Sequence, residues 1–480
     1  MVVIGAVALV MTACGDDGET TSDDDESVES QSFVTRPDLT PPLIGVETSG
    51  ETADGYLFMA PKKAEAQTGA LIVDDDGEVI WSLPREDMNV ADFRVQEYRG
   101  QPVLTWWEGE SHEGHGSGEF VIMDSSYQEV ARIGAGNDRA GDLHDFELTD
   151  DGTALVLAYE TEPADLTPFG GDEDGEMLNN YVQEIDVETG EVLLEWDASE
   201  HVPMSDTYDE LGGDDDEEED DEDAPFDWFH VNSVAEDDDG GLLVSARNTH
   251  AVYYLDRETG DVRWILGGKS SDFAMDEETT FTWQHDARWT ESGELSLFDN
   301  QALPKTADES RAIVLELDEE AGTVDLVEER TNPEPILAGS QGNTQMLDGG
   351  GVFVGWGSGS SMTEFDADGE AVMQATLEPA ESYRAFRMPW EGTPATPPDV
   401  TVEGTDDGQI DVYMSWNGAT EVDQWRLLGG EAEDALEPVE TVGRDGFETL
   451  AQVDDVDFIA VEALDSSGAV IGTSDVVSTD

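Results

Sequence analysis

One pattern recurs along this chain: a short apolar run ending in Asp, a tight turn, and a second short run. It is seen in IVDDDGEVIWSL (72–83), EIDVETGEVLLEW (184–196), YLDRETGDVRWIL (254–266), ELDEEAGTVDLVE (316–328) and EFDADGEAVMQAT (364–376). A sixth copy, VIMDSSYQEVARI (121–133), lacks the Gly. An acidic residue followed by Gly between alternating runs is hairpin chemistry, because Gly supplies the positive φ that the turn requires. A second motif, a turn leading into a strand, precedes each hairpin. It is clear in DGTALVLAYE (151–160), DGGLLVSARN (239–248), SGELSLFDNQ (292–301) and DGGGVFVGWG (348–357), and looser in RGQPVLTWWE (99–108) and ADGYLFMAP (53–61).

The chain therefore contains six units of roughly 50 to 70 residues, each with about four short strands. No long segment holds a helical period. The predicted fold is all-β: a six-bladed β-propeller over residues 45–390, with a β-sandwich as the alternative arrangement of the same strands. After the Pro-rich stretch MPWEGTPATPPD (388–399) the pattern changes. Residues 399–480 resemble a fibronectin type III or immunoglobulin-like β-sandwich module, with Trp416 as its core aromatic.

Charge limits what such a surface can bind. Asp and Glu number 115 against 20 Lys and Arg, a net charge of -95. That excludes general nucleic-acid binding and electrostatic docking on anionic lipid. Carboxylates spread this evenly suit a solvated surface in high salt, where repulsion is screened within about 3 Å at about 1 M. The run Asp214–Asp223 lacks the Gly and spacing of an EF-hand and reads as a solvated insertion. The single cysteine, Cys14, allows no internal disulfide. It ends VVIGAVALVMTAC, which is too short to span a bilayer and reads as a signal peptide with a lipobox. Cys14 is then the lipidated first residue of the mature protein. Residues 15–44 are expected to be a disordered acidic tether, giving an extracytoplasmic bacterial protein, lipid-anchored at the cell surface or secreted.

Three of the seven histidines share a context. His144, His230 and His285 each start a segment leading through a turn into the second motif. His144 and His285 precede the turn Gly by eight residues, and Gln341 does so in the following unit; His230 precedes it by ten or eleven, as if by an insertion before the turn. Equivalent positions in a radial repeat lie at equal radius, so the three rings would converge. A blade can also keep a His for internal hydrogen bonding. Asn232 lies two residues after His230, on the same strand face. Arg247 ends an apolar strand, where a guanidinium needs an anionic partner or ligand. A zinc or copper site on the three imidazoles is opposed by Arg247, so no metal and no cofactor is expected. His112 and His115 lie in a polar, Gly-rich loop and read as solvated; His201 and His250 read as peripheral.

LHDFELTDDGTALVLAYE, DWFHVNSV, LLVSARNTHAVYYLDRETGDVRWILGGKSSDF and FTWQHDARW together closely resemble the arylsulfotransferase family of secreted bacterial six-bladed propellers. The resemblance runs over about residues 50–390. It implies nucleotide-independent transfer of a sulfuryl group from an aryl sulfate ester to a phenol through a sulfated histidine. By the same resemblance His285 is the nucleophile, His230, Asn232 and Arg247 bind the sulfuryl group, and His144 transfers protons. Trp106, Trp107, Trp228 and Trp356 would stack the phenol or belong to the core, and Lys269 or Arg288 would help keep the channel mouth positive. The alternative is a non-catalytic extracellular propeller that binds a ligand or partner.

Overall fold

The computed structural model describes residues 30–479, apart from 63–66, 113, 212–223, 238–239, 303 and 406–407. The expected signal peptide, Cys14 and the Asp214–Asp223 run lie outside the described residues.

Each repeated hairpin forms the third and fourth strands of a four-stranded antiparallel sheet, and the motif before it forms the second strand. The turn chemistry is visible atom by atom. Asp74 Oδ1 accepts the backbone N–H groups of Asp76 and Glu78, each at 3.0 Å, and Asp366 repeats this with Asp368 and Glu370. Gly77, Gly190, Gly260, Gly322 and Gly369 all take positive φ. In the copy without Gly, Tyr127 takes that conformation at φ 60°. Its ring stacks on Trp81, and its hydroxyl donates to the Gly418 carbonyl, so tertiary contacts offset an unfavourable backbone state.

In chain order the first strands of sheets two to six are Asn89–Tyr98, Phe146–Leu148, Val231–Glu236, His285–Trp289 and Asn343–Met346. The first sheet takes its first strand from far along the chain: Ala385–Met388 pairs with Tyr56–Met59. Gly45–Thr48 adds an edge strand to the sixth sheet.

A separate apolar cluster fills each interface between successive sheets. Phe58 and Trp81 meet Phe93 and Trp106; Phe120 meets Phe146; Trp196 meets Tyr253. Trp264 meets Leu297, and Phe298 meets Trp356. Phe353 and Met373 of the sixth sheet then meet Leu57 and Leu71 of the first. The six sheets thus close on themselves, and the chain is all-β with many four-stranded antiparallel sheets.

Arg384 marks the centre. Fully buried, it reaches Asp92 at 2.9 Å, Asp145 at 3.0 Å, the Asn232 carbonyl at 3.0 Å and Asp286 at 3.4 Å. These belong to four other sheets, and one side chain reaches them all only if the first strands surround it. Arg94 and Arg288 complete the network, Arg288 through Asp145, Glu147 and Asp286.

Beyond residue 399, a three-stranded sheet (Asp399–Gly404, Gln409–Ser415, Glu448–Asp454) and a second sheet built on Gln424–Gly430 and Phe458–Leu464 share one core cluster. Trp416 lies in it beside Trp425. This unit docks on the ring through reciprocal hydrogen bonds between Asn417 and Ser82. Residues 30–44, expected as tether, are packed instead. Leu39 and Ile44 are buried between the sixth and first sheets, and Thr35 N–H donates to Glu448 at 2.6 Å. The reason is compositional: FVTRPDLTPPLI carries apolar residues that the preceding acidic stretch lacks.

Candidate active site

The three predicted imidazoles converge, but by two routes. His144 and His285 match: each stands three residues before the strand position facing the second strand (Glu147 opposite Leu155, Arg288 opposite Ser296), and each is followed by an Asp in the central network. In the fourth sheet the facing residue is Ala235, opposite Leu243, so the matching position is Asn232, not His230. Asn232 precedes Gly240 by eight residues, the same spacing as in the other two sheets, so there is no insertion before the turn. His230 lies two residues earlier and enters the site through a positive φ of 55° and a bulge between Val231 and Ser233. The His144 and His230 ring centroids are 4.9 Å apart, edge to face. Tyr383 bridges to the third histidine, 5.5 Å from the His144 centroid and 6.4 Å from that of His285.

Each imidazole is fixed through Nδ1. His144 pairs with Asp142 at 2.5 Å, and His230 with Asp227. His285 Nδ1 lies 2.7 Å from Asn300 Oδ1 and 3.2 Å from the Trp283 carbonyl. The Asn300 amide cannot turn round, because its Nδ2 donates to the carbonyls of Gln341 at 2.9 Å and Ala338 at 3.2 Å. His285 Nδ1 therefore carries the proton and its Nε2 the lone pair. That lone pair accepts only a long hydrogen bond, 3.2 Å, from Gln341 N–H.

Electrostatics reinforce the assignment. Burial lowers the His285 pKa well below the usual value, and the charges of Arg247, His144 and His230 lower it further against the raising effect of Asn300. His285 is therefore a neutral imidazole at neutral pH and on the acid side of it. Burial also lowers His230, with Asp227 opposing. Asp142 and Asp227 are held low despite their burial by the histidines they pair with. Arg247 follows its strand directly, stacks over Trp283 at 4.8 Å, and donates to Asn248 Oδ1 at 2.8 Å. It is thereby held beside the histidines.

Several expectations need correction. One N–H of the Asn232 amide is given to the Gln284 carbonyl at 2.6 Å. Of the two alternatives for Trp106, Trp107, Trp228 and Trp356, the core one holds: all four are fully buried in the inter-sheet clusters. Arg288 belongs to the central network, and Lys269 donates to the carbonyls of Ser205 and Thr207 over Tyr208. His250, expected to be peripheral, is buried between Tyr208 and Trp283 beside Arg247; burial, with Arg247 and Lys269, lowers its pKa to about 3. His201 is peripheral, stacked on Trp196. His115 is not a loop histidine. The Gly-rich stretch is the tip of the hairpin formed by Gln101–His112 and His115–Met123. Its glycines lie against Trp107: a Cβ at Gly109, Gly116 or Gly118 would come within 2.7 Å of the indole.

The signal for Asp142 and Asp227 was an acid two or three residues before each of two clustered histidines. Asn300 had only the strand end LFDN. Tyr159 and Tyr383 had no pattern of their own. Among the described residues no three His, Cys, Asp or Glu side chains are grouped so as to hold a metal ion.

A model of the arylsulfotransferase (ASST) family matches residues 94–378, a span that contains His144, His230, Arg247 and His285. The chain belongs to the arylsulfotransferase family. No curated protein matches it. Among solved structures, a Bacteroides caccae protein of unknown function is 13% identical, covering 70% of this chain and 98% of its own, with a TM-score of 0.42. A protein from Lactobacillus plantarum is 12% identical over 84% and 100%, TM-score 0.35, and a catalytically inactive virginiamycin B lyase from Staphylococcus aureus with quinupristin is 11% identical over 69% and 79%, TM-score 0.33.

For this arylsulfotransferase-family chain, the Asn300 contact yields a prediction. Asn300→Leu removes the acceptor that fixes the His285 tautomer, together with the two hydrogen bonds that its Nδ2 donates to the Gln341 and Ala338 carbonyls. Sulfuryl transfer should fall roughly 10²-fold or more, since a histidine in the wrong tautomer loses its function. The check is the turnover of the folded variant, measured well below a thermal midpoint that the two unpaired carbonyls should lower.

Proposed function

We propose that the ring of six sheets is a six-bladed β-propeller over residues 45–390, carrying a fibronectin- or immunoglobulin-like module at 399–480. We further propose that it transfers a sulfuryl group between phenols through a sulfated His285. The observation that carries the reading is the state of His285: Nδ1 committed to Asn300, Nε2 unprotonated, and a pKa held well below the usual value.

His285 Nε2 gives up its long hydrogen bond from Gln341 and attacks the sulfur of an aryl sulfate. The N–S bond forms, the S–O bond to the aryl group breaks, and His144 protonates the leaving phenolate. A phenol then loses its proton to His144, its oxygen attacks the sulfur, and the N–S bond breaks. Splitting one displacement into two lowers each barrier, and proton transfer by His144 contributes about 10²- to 10⁴-fold. Little covalent work is left for other groups, so positioning and charge dominate. Arg247 and His230 bind the sulfonate oxygens. Asn232 joins them with its second amide N–H, the first being given to the Gln284 carbonyl just before His285.

This reading places the protein outside the cytoplasm, lipid-anchored through Cys14 or secreted, acting on phenols and aryl sulfate esters. Its test is release of nitrophenolate from 4-nitrophenyl sulfate with phenol as acceptor, over a range of salt concentrations. Release that depends on His285 supports it, and no release at any salt leaves a ligand-binding propeller. Arg247→Lys should lower kcat/KM roughly 10- to 100-fold, because an ammonium cannot hold two sulfonate oxygens at once. Equal kcat/KM for the two proteins would remove Arg247 from the sulfuryl site.

A further inference from the structure

The tip of the second sheet's hairpin reaches the site through Gly114, His115 and Gly116. Gly116 N–H donates to Asp142 Oδ2 at 2.7 Å, on the carboxylate whose other oxygen holds His144. A Cβ built on Gly114 would lie 3.5 Å from His230 Cε1, so the hairpin backbone borders that ring. The His115 ring is stacked on Tyr159 with centroids 5.8 Å apart, and Tyr159 in turn lies 6.0 Å from His230. His115 is thus a fourth imidazole at the site.

Two buried atoms there, not bonded to each other, have no hydrogen-bond partner among the described residues: His115 Nδ1 and Asp227 Oδ1. One is a donor in the right tautomer, the other an acceptor, and leaving both unpaired costs the desolvation of each. Asp227 Oδ2 already holds His230, and His230, His115 and Arg247 all lie near enough to act electrostatically on this carboxylate.

We propose that His115 and His230 share the Asp227 carboxylate, one imidazole on each oxygen, so that His115 sets how readily His230 takes up a proton. His115 is then a positioning residue acting through Asp227. This deepens the sulfuryl-transfer reading, on which its functional meaning rests: a His230 that takes up a proton as the anionic sulfonate arrives can donate to it, and His115 governs how much of the carboxylate's charge supports that uptake. The other groups that bear on the pair are His144 and Arg247 on His230, Tyr159 on both rings, and Asp142 across the hairpin tip.

The test uses the full chain with ¹⁵N-labelled histidine, its ring signals assigned by single His→Gln variants and followed against pH. His115→Phe keeps a ring on Tyr159 but removes the nitrogens. It should raise the His230 midpoint by about one unit, because Asp227 is left wholly to His230. His115→Ala should do the same, and serves if Phe is not accommodated. In an Asp227→Asn background neither substitution should move His230. An unchanged His230 midpoint, or an equal rise in the Asp227→Asn background, overturns the proposal. The readout is on the resting protein, so it stands apart from sulfuryl transfer, which His285→Ala tests separately.

Discussion

Replacing His285 with alanine is expected to lower nitrophenolate release from 4-nitrophenyl sulfate by roughly 10⁴-fold or more, the scale seen when the nucleophile of a covalent mechanism is removed. The fold should survive. The side chain lies at the head of a strand, and its loss frees Asn300 Oδ1, the Trp283 carbonyl and Gln341 N–H, beside a site that a phenol and water must reach. The wild-type protein should show a burst of one nitrophenolate per chain when acceptor is withheld, and the variant none. The pH profile carries the same signature. Because burial and Arg247 lower the His285 pKa well below the usual value, the neutral nucleophile persists as pH falls through 6.5. Activity limited by the His285 proton should therefore not decline with a midpoint at an ordinary imidazole value.

The second large effect is on stability. Arg384→Met should destabilise the protein by about 3–5 kcal/mol, the range found when one partner of a buried ion pair is removed. Arg384 is fully buried among Asp92, Asp145 and Asp286, and Arg94 and Arg288 cannot replace its contact with the Asn232 carbonyl. The residue joins the first strand of the first sheet to those of four other sheets, so the loss falls on closure of the ring. Urea unfolding checks this: the midpoint should drop clearly with little change in slope. An unchanged midpoint would mean that the network does not hold the ring.

The local parts of this fold were legible in the sequence, the non-local parts were not. The Asp and Gly of each hairpin act within five residues, so the pattern in the chain is the pattern in the sheet. Tyr127 at a positive φ was unreadable, since contacts with Trp81 and Gly418 support it. The strand Ala385–Met388 pairs with Tyr56–Met59, more than 300 residues away along the chain, and no local signal announces that. At the site, His144, His230, His285 and Arg247 stood out as residues out of character with their runs. The offset of His230 did not, because a bulge changes register without changing composition. His115 was misread for a physical reason: glycine near histidine suggests a solvated loop, whereas here the missing side chains let the hairpin lie flat on Trp107. The role of Arg384 was missed because each of its partners comes from a different sheet.

Everything proposed for the mechanism turns on His285 carrying the sulfuryl group. Mass spectrometry of the peptide containing His285 reads this directly, after brief exposure to 4-nitrophenyl sulfate without acceptor and a mildly alkaline quench. The expected result is the mass of one SO₃ on His285, lost when phenol is added and absent from His285→Ala. Nitrophenolate release with no modified histidine, or modification at another residue, would rule the sulfated His285 out.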